Sequence, residues 1–361
     1  MRVLHVAETI TGGVATIMRH LVAAQVESPA ITNVRVLVPA NQVDALEDAC
    51  PEEPYTFKRT GRHVIALARF FVVLCHTLWR TRPHVVHLHS TYAGLVARPL
   101  LFILRPFLRP KVVYCPHGWA FSMDVSGCKK NLYARLEYIL SHVTDAVICV
   151  SRYEYQVAAD VGIPPQKLEV IVNGVPIPEQ LQQKHKPQDA PLHLLFLGRF
   201  DRQKGFDVLL EAMAQLEDAL CHLTAAGSPV QDEIHPPGRP NITYTGWVPS
   251  AEVSALLMQT DVLIMPSRWE GFGLVAAEAM SLGIPVLATD VCALPELVIH
   301  NKTGRLVPVN DAEAIASTVQ QTPRAAWQRM GLAARAHVLK NFQASRMAAQ
   351  TLALYERITI R

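Results

Sequence analysis

Two segments of the sequence place charged side chains and glycines directly after apolar runs that are typical of buried β-strands. The run Leu192–Leu197 is followed by Gly198 and Arg199 and, one tight turn later, by Lys204 and Gly205. Two cations at the end of one strand can bind the same anion, and a glycine lets the backbone approach that anion closely. The spacing therefore predicts a site for a diphosphate, and a pair of solvated loop cations is the alternative.

The second segment follows the run Val262–Met265 and combines two carboxylates with two glycines. Gly271 and Gly273 open a predicted helix, whose free N–H groups and dipole favour a phosphate. Glu278 lies inside that helix among small apolar residues, where its carboxylate needs a partner. A ribose diol is one such partner, and a salt bridge to a neighbouring segment is the alternative. Glu270 precedes the helix and could reach another part of the same ligand or act as an ordinary loop acid.

Three further places offer polar groups in loops or on strands. Thr11-Gly12-Gly13 follows the first predicted strand and forms either an anion-binding loop or a plain turn. His117 stands between a proline and a glycine after another strand, which gives it a better claim to a functional role than a lone histidine usually has, and a structural role is the alternative. His87 and His89 share one face of a strand. We interpret them as cleft lining or packing, because the sequence identifies no third metal ligand.

Several common phosphate-binding motifs are missing from the sequence. The chain contains no G-x-G-x-x-G, no G-x-x-x-x-G-K-[ST] and no D-x-D. The sequence therefore lacks the motif that would best indicate a nicotinamide cofactor, and it lacks the aspartate pair that would hold a metal ion on a diphosphate. If the chain binds a diphosphate, we expect protein cations and helix N-termini to supply the countercharge. No metal and no cofactor are predicted.

Short β-branched and apolar runs alternate with helix-length segments along the whole chain, which is typical of βαβ units in parallel sheets. In the first half the predicted strands are Arg2–Glu8, Asn33–Val38, His84–Ser90, Lys111–Cys115, Ala146–Ser151 and Leu168–Val172. In the second half they are Leu192–Leu197, His222–Ala225, Asn241–Thr245, Val262–Pro266, Pro285–Thr289 and Gly304–Val307. The pattern predicts an α/β protein with two doubly wound Rossmann-like domains facing a cleft, and ligands beyond the carboxyl ends of the strands.

The same pattern suggests where the domains begin and end. We expect a first domain over residues 1–175 and a polar, proline-bearing linker over 176–191. A second domain is expected over 192–340. A C-terminal helix over 341–361 would be able to cross back to the first domain.

Composition excludes several classes of protein. With 361 residues, 50% hydrophobic and 18% charged, the chain is globular and long enough for two cores. A net charge of +3 does not indicate nucleic-acid binding. Seven cysteines without a C-x-x-C pair favour a reducing compartment. No secretory signal and no membrane span are recognisable, so we expect a cytoplasmic protein.

One segment of the first half is strongly basic. Between Pro54 and Met123 there is no Asp or Glu, whereas ten Lys and Arg residues alternate with large apolar side chains. Such a surface suits an anionic bilayer or a lipid diphosphate. The alternative is an ordinary core with a solvated basic rim. We expect a peripheral association with the inner face of the cell membrane.

Taken together, these residues resemble the retaining glycosyltransferases of family 4, which have the GT-B fold. The resemblance covers nearly the whole chain and is strongest between residues 195 and 303, in GRFDRQKG, YTGWVP and MPSRWEGFGLVAAEAMSLGIPVLATD. The pair Glu270 and Glu278, separated by seven residues, is the most specific feature. The early GG loop, VVHLHS, PHG and NGV are similar as well.

The resemblance implies a role for each candidate residue. Arg199 and Lys204 would neutralise the donor diphosphate, Glu278 would bind the ribose, and Glu270 would contact the donor sugar. The remaining donor contacts would come from the backbone of Gly271, Phe272, Gly273 and Leu274, from Trp247 and Val248 at the base, and from Gly13 at the phosphates. His117 would lie beside the transferred sugar, so that His117, Arg199, Lys204 and Glu270 form the catalytic set. The resemblance further implies that the domain over residues 1–175 binds the acceptor and that the domain over 192–340 binds the nucleotide sugar. The family is typically metal-independent.

The expected function is transfer of a sugar, with retention, from a UDP-sugar or alternatively a GDP-sugar. The expected acceptor is a glycan or a polyprenyl-diphosphate-linked glycan of exopolysaccharide, capsule or lipopolysaccharide biosynthesis. Two alternatives remain open: a sugar-nucleotide epimerase with the GT-B fold, and a catalytically silent protein that binds nucleotide sugars.

Overall fold

The chain divides into two compact units. A computed structural model describes residues 1–50, 52–61, 64–178, 187, 190–229 and 238–360. The first unit comprises Met1–Gly174 together with Ala344–Arg361, and the second comprises Val175–Gln343. Most of the predicted linker, at 179–186 and 188–189, lies outside the described residues.

The first unit is built on a seven-stranded sheet in which all neighbouring strands are parallel, in the order β3-β2-β1-β4-β5-β6-β7. Its strands are β1 (Arg2–Ala7), β2 (Asn33–Pro39), β3 (Tyr55–Phe57), β4 (Val85–His89), β5 (Lys111–Cys115), β6 (Ala146–Cys149) and β7 (Leu168–Val170). The three-residue strand β3 is absent from the prediction, because a segment this short carries no periodic pattern.

Helices cover the sheet of the first unit. They are α1 (Gly13–Val26), α2 (Val64–Thr81), α3 (Thr91–Leu104), α4 (Gly127–Ser141), α5 (Arg152–Asp160) and α12 (Ala344–Ile360), with short 3₁₀ helices at Ala40–Ala49, Ala120–Ser122 and Pro165–Lys167. Helix α2 shows why they pack there: Phe70, Leu74 and Leu78 are four residues apart, lie on one face and are buried in the core. Helix α12 packs against α1 and buries Met347, Thr351 and Tyr355.

A buried charge cluster joins three elements of the first unit. Arg98 of α3 is 1% exposed, and its guanidinium donates to the Glu137 carboxylate of α4 at 2.8 Å. The Tyr114 hydroxyl of β5 donates to the same carboxylate at 3.0 Å. The prediction that all ten cations of the basic segment form a surface is therefore wrong for Arg98, because a buried carboxylate outside that segment neutralises it.

The second unit repeats the architecture with six parallel strands in the order β10-β9-β8-β11-β12-β13. These strands are β8 (Leu192–Leu197), β9 (Cys221–Ala226), β10 (Ile242–Gly246), β11 (Val262–Met265), β12 (Val286–Thr289) and β13 (Gly304–Val307). Its helices are α6 (Phe206–Ala214), α7 (Ser250–Met258), α8 (Leu274–Ser281), α9 (Leu294–Leu297), α10 (Ala312–Gln321) and α11 (Arg324–Asn341). Strands and helices enclose a core that includes Phe196, Phe206, Ile264 and Trp327.

Over the described part of the chain, none of the helices combines the length and the apolar character that crossing a bilayer requires.

Candidate functional site

The strand order of the second unit creates an opening between β8 and β11. From β8 the chain proceeds first to β9 and β10 on one side and then to β11 on the other, so the helices that follow β8 and β11 leave in opposite directions. Such a switch point is where open parallel sheets bind ligands. Gly198 and Arg199 follow β8, and Pro266–Gly273 follows β11. The sequence-predicted residues Arg199, Lys204 and Glu270 thus belong to the two loops at this switch point, and Glu278 lies in the helix after the second loop.

Glycines allow these loops to approach each other. Gly205 has a left-handed backbone with φ of 65°, and a methyl group on it would stand 1.9 Å from the carbonyl oxygen of Pro266. Gly227, at the end of β9, would place a methyl group 1.8 Å from the carbonyl oxygen of Gly198. The backbone of Gly227 also donates to the carbonyl of Gly246 at 2.8 Å. Gly198 thus follows β8, Gly227 follows β9 and Gly246 ends β10, and the sequence pattern did not single out Gly227.

Lys204 and Glu270 meet at the centre of the opening. The ammonium Nζ of Lys204 donates to Oε2 of Glu270 at 2.6 Å, and both side chains are mostly buried, with 21% and 13% exposed. The aliphatic part of Lys204 packs beside Gly198. The backbone N–H of Lys204 donates to the Asp201 carboxylate at 2.9 Å, which shapes the turn. The pair fixes an ammonium group where the strands end.

The Arg199 side chain pairs with residues of its own loop and not with Glu270. Its Nη2 donates to Oε1 of Gln203 at 2.7 Å and lies 3.0 Å from the Asp201 carboxylate. The side chain is 45% exposed. The structure therefore brings Lys204 and Glu270 into direct contact, whereas it pairs Arg199 within its own loop.

Gly273 begins helix α8 at the other side of the opening. Its backbone is left-handed with φ of 90°, and a methyl group there would stand 2.8 Å from Leu294. Phe272 is buried and packs edge-on against Phe342, with ring centroids 5.7 Å apart. This packing fixes the start of α8, whose first N–H groups have no partner one turn earlier in the helix. Glu278 is half-buried one turn into α8.

Arg268 holds the two loops together, and the sequence analysis overlooked it. Its guanidinium forms two bonds of 2.8 and 2.7 Å with the Asp207 carboxylate, and it donates to the carbonyl of Arg202 at 2.7 Å. Burial alone would raise the pKa of Asp207, but the Arg268 guanidinium holds that pKa below its usual value. The sequence signal that could have indicated this pair is an arginine two residues before Glu270 together with an aspartate at the start of the helix that follows Lys204.

The two residues that are expected to contact the nucleotide base come directly after β10, the strand at the edge of the sheet. Trp247 directly follows β10 and is 62% exposed, and Val248 is half-buried. An exposed indole face beside a sheet edge can stack on a planar ring.

In the first unit, the candidate residues follow β1 and β5. Gly13 is the exposed first residue of α1, and Gly12 before it has φ of 57°. His117 follows β5 with φ of 54°, unusual for a residue with a side chain. Its Nε2 lies 2.9 Å from Nδ1 of His89. Burial lowers the pKa of His117 to about 4.

His87 and His89 are joined by a third histidine that the sequence analysis did not identify. His5 of β1 is completely buried, and one ligand atom from each of the three rings lies within 4.8 Å of the others. The adjacency of β1 and β4 in a doubly wound sheet, with His5 in register with His87, was the signal that could have found it.

Both units match models of sugar-transferring enzymes. The model described as Glycosyltransferase Family 4 matches residues 11–178, and the one described as Glycosyl transferases group 1 matches residues 191–322. The chain belongs to glycosyltransferase family 4. The family resemblance drawn from the motifs is thereby confirmed.

Individual relatives agree with this assignment. An uncharacterised 41.2 kDa protein in the cps region of Klebsiella pneumoniae is 36% identical over 99% of both chains. A GDP-mannose:cellobiosyl-diphosphopolyprenol alpha-mannosyltransferase of Xanthomonas oryzae is 30% identical over 65% of this chain and 63% of its own. HepE from Anabaena, crystallised with UDP-glucose, shares the fold with a TM-score of 0.80, at 19% identity and over 98% of this chain and 100% of its own.

These matches confirm the predicted fold class, since both units are parallel α/β Rossmann-like domains of the kind found in GT-B glycosyltransferases. The family 4 protein is a glycosyltransferase of polysaccharide biosynthesis. The individual roles assigned to the site residues stay predictions.

Proposed function

We propose that this protein transfers a hexosyl group, with retention of anomeric configuration, from a nucleotide sugar to a glycan or polyprenyl-diphosphate-linked glycan. The observation that carries the proposal is the Lys204–Glu270 pair, 2.6 Å apart at the switch point of the second unit. A UDP-sugar is our first choice of donor and a GDP-sugar the second. HepE is described with UDP-glucose, and the Xanthomonas enzyme is named for GDP-mannose.

The reaction develops charge at two positions, and the residues of the second unit suit the negative one. As the bond between the anomeric carbon and the diphosphate oxygen breaks, negative charge grows on the diphosphate. Lys204, Arg199 and the N-terminal amides of α8 would stabilise that charge without reorganising, which is the main source of catalytic power in such sites. Glu270 orients the Lys204 ammonium and would contact the donor sugar.

The same proposal covers the remaining donor residues. Glu278 would accept hydrogen bonds from the ribose hydroxyls, and Trp247 with Val248 would contact the base. The backbone from Gly271 through Phe272 and Gly273 to Leu274 would bind sugar and phosphate. Gly13 and His117 of the first unit complete the proposed donor contacts.

Retention would follow from attack on the face that the diphosphate leaves. The acceptor hydroxyl oxygen forms the new bond to the anomeric carbon, and its proton passes to the departing diphosphate oxygen. No carboxylate nucleophile is needed in this scheme, because the acceptor oxygen attacks the anomeric carbon directly. No divalent ion is needed, because protein cations and amides would offset the charge of the diphosphate. Exclusion of water would prevent hydrolysis of the donor.

The test is a transfer assay with a panel of UDP- and GDP-sugars and a polyprenyl-diphosphate-linked disaccharide. We expect one donor to be consumed only when an acceptor is present, with a product whose anomeric configuration, read by NMR, equals that of the donor. An inverted product would contradict retention. Isomerisation of the donor without acceptor would indicate the epimerase, and binding without turnover would indicate the silent binding protein.

A second part of the proposal concerns an anionic membrane surface. In the first unit, Trp79, Phe102, Ile103 and Phe107 are 51 to 73% exposed. The rings of Trp79 and Phe107 are 6.4 Å apart, so the end of α2 and the segment after α3 form one apolar patch. The exposed cations around it are Arg80, Arg82, Arg105 and Arg109.

Charge complementarity is what favours a bilayer for this patch. Three cations of the basic segment are committed elsewhere: Arg98 to Glu137, Arg59 to Glu8 at 2.7 Å, and Lys111 to Asp145 at 3.6 Å. Arg62 lies outside the described residues. The arginines that surround the patch can each contribute about 1 kcal/mol at an anionic surface. The inner face of the cell membrane is the proposed location.

Co-sedimentation with vesicles tests this association. Phe107→Ser should reduce binding to vesicles containing anionic lipid, whereas Leu332→Ser, which removes a similarly exposed apolar side chain from the second unit, should not. If the wild-type protein co-sediments with neither anionic nor neutral vesicles, the membrane proposal is refuted and the transferase proposal is unaffected.

A further inference from the structure

A row of hydrogen-bonded side chains crosses the first unit and ends at His117. Gln25 of α1 begins the row, with its Oε1 2.8 Å from Nε2 of His5. Nδ1 of His5 lies 2.9 Å from Nε2 of His89, and Nδ1 of His89 lies 2.9 Å from Nε2 of His117. At the far end, Nδ1 of His117 is 3.6 Å from Sγ of Cys115. Every imidazole in the row therefore uses both of its nitrogens.

The sheet topology brings the members of the row together. Strands β1, β4 and β5 are neighbours, with Ala7 in register with His89 and His89 in register with Cys115. His5 and His89 are both 0% exposed, and the planes of the His89 and His117 rings lie within 13° of parallel. His5 and His89 are thus buried next to the carboxyl ends of the strands, and half-buried His117 lies just beyond the end of β5.

Burial keeps these imidazoles neutral near pH 7. It lowers the pKa of His5 to about 4, although the Gln25 hydrogen bond counteracts the effect, and it lowers the pKa of His89 well below 6.5. The pKa of Cys115 is raised well above its usual value by burial, so the thiol keeps its proton. A neutral imidazole has one donor nitrogen and one acceptor nitrogen. A row of such rings must therefore run in one direction.

Gln25 determines that direction. Its carbonyl oxygen can only accept, so Nε2 of His5 carries the proton and Nδ1 of His5 accepts. His89 must then donate from Nε2, and His117 must donate from Nε2 to Nδ1 of His89. His117 is left with a lone pair on Nδ1, which the Cys115 thiol faces. The tautomer of one histidine is set by the bond its other nitrogen makes.

We propose that Gln25, His5 and His89 are positioning residues that hold His117 as its Nε2–H tautomer, with its ring fixed at the end of β5. The left-handed backbone of His117 supports this interpretation, since a conformation that costs of order 1 kcal/mol persists where surrounding contacts over-determine it. The tautomer itself does not depend on the reaction, whereas its catalytic consequence rests on the proposed function.

A metal ion is the competing interpretation of part of this cluster, because His5, His87 and His89 have the spacing of three ligands. Binding an ion would break the 2.9 Å bond between His5 and His89. Nδ1 of His87 bonds to the Tyr355 hydroxyl at 2.6 Å, so only its Nε2 could bind an ion. The hydrogen-bonded row is therefore the arrangement that the observed distances favour.

Histidine-selective ¹⁵N labelling and long-range ¹H–¹⁵N NMR at pH 7.5 test the proposal on the purified full chain. We expect the His117 ring to show one protonated nitrogen, Nε2, with His117→Asn assigning the signal. In Gln25→Met, which keeps the shape but removes the acceptor oxygen, both tautomers of His117 should become detectable. His87→Phe is the matched control, because His87 is equally buried but bonded to Tyr355 instead of to the row, and it should leave the tautomer of His117 unchanged.

Kinetics provide the second readout. Gln25→Met should lower kcat by roughly 3- to 10-fold, the equivalent of one lost neutral hydrogen bond, with donor KM nearly unchanged. The proposal would be overturned if His117 of the wild type were protonated on Nδ1. It would also be overturned if Gln25→Met kept His117 entirely in the wild-type tautomer. A shift of the ring signals on adding Zn²⁺ alone would overturn it as well. If the wild type transfers no sugar, the proposed function fails while the NMR result still decides the tautomer.

Discussion

Replacing Lys204 by methionine removes the ammonium at the switch point and keeps most of the side chain's length. The remaining stem can still pack beside Gly198. What is lost is the 2.6 Å bond to Glu270 and, in our proposal, a charged contact to the donor diphosphate. Because the pair is partly exposed, its loss should change the free energy of unfolding by only about 1 kcal/mol.

The effect on ligand binding should be larger. A hydrogen bond to a charged group contributes about 1.5 to 3 kcal/mol, which corresponds to UDP binding roughly 10- to 150-fold more weakly in Lys204→Met. The transition state carries more charge on the diphosphate, so kcat should fall by roughly 100- to 1000-fold. Lys204→Arg, which retains the charge, should lose less affinity than Lys204→Met.

Isothermal titration calorimetry with UDP and with uridine checks this prediction. Uridine has no phosphate, so its affinity should be the same in wild type and Lys204→Met. Lys302→Met, which removes an exposed lysine from the same unit, is the control for the substitution itself. UDP affinity within about threefold of wild type, or an equal loss for uridine, would refute the assignment of Lys204 to the diphosphate.

Two further predictions concern the scaffold. Gly205→Ala should lower the free energy of unfolding by at least about 1 to 2 kcal/mol and weaken UDP binding, because it puts a side chain on a left-handed backbone facing the Pro266 carbonyl. Gly238→Ala, whose added methyl group would meet none of the described residues within 4 Å, should do neither, and equal urea midpoints for the two variants would contradict this. His5 has a pKa of about 4 in the folded protein and about 6.5 in the unfolded chain, so the unfolded chain takes up a proton first as the pH falls. Through this residue, the free energy of unfolding should drop by about 2 kcal/mol between pH 7.5 and pH 5. Urea titrations should show that His5→Asn reduces this drop and exposed His76→Asn does not; identical pH profiles would contradict it.

Much of the fold and part of the site could be predicted from local sequence. The strands before Arg199 and Glu270 are continuous apolar runs, because parallel strands are buried on both faces. Glycines next to charged residues at the ends of such runs marked the loops at the switch point. The position of each loop relative to its own strand is a local property, so it is visible in the sequence.

What could not be predicted depends on which strands are neighbours. The bond between Lys204 and Glu270 joins residues 66 positions apart and requires β8 to lie beside β11. His5 joins His89 for the same reason, although nothing near His5 in the sequence indicates a partner. Arg98 appeared to be one surface cation among ten, and only the packing of α4 against α3 shows its buried partner Glu137.

In our proposal, protein cations and helix amides at the switch point bind the donor diphosphate without a divalent ion. Calorimetric titration of the wild-type protein with UDP and GDP, once in excess chelator and once in Mg²⁺ or Mn²⁺, tests this proposal. We expect at least one nucleotide to bind with dissociation constants that agree within about twofold in the two buffers. Binding that vanishes in chelator and returns with the metal would contradict it.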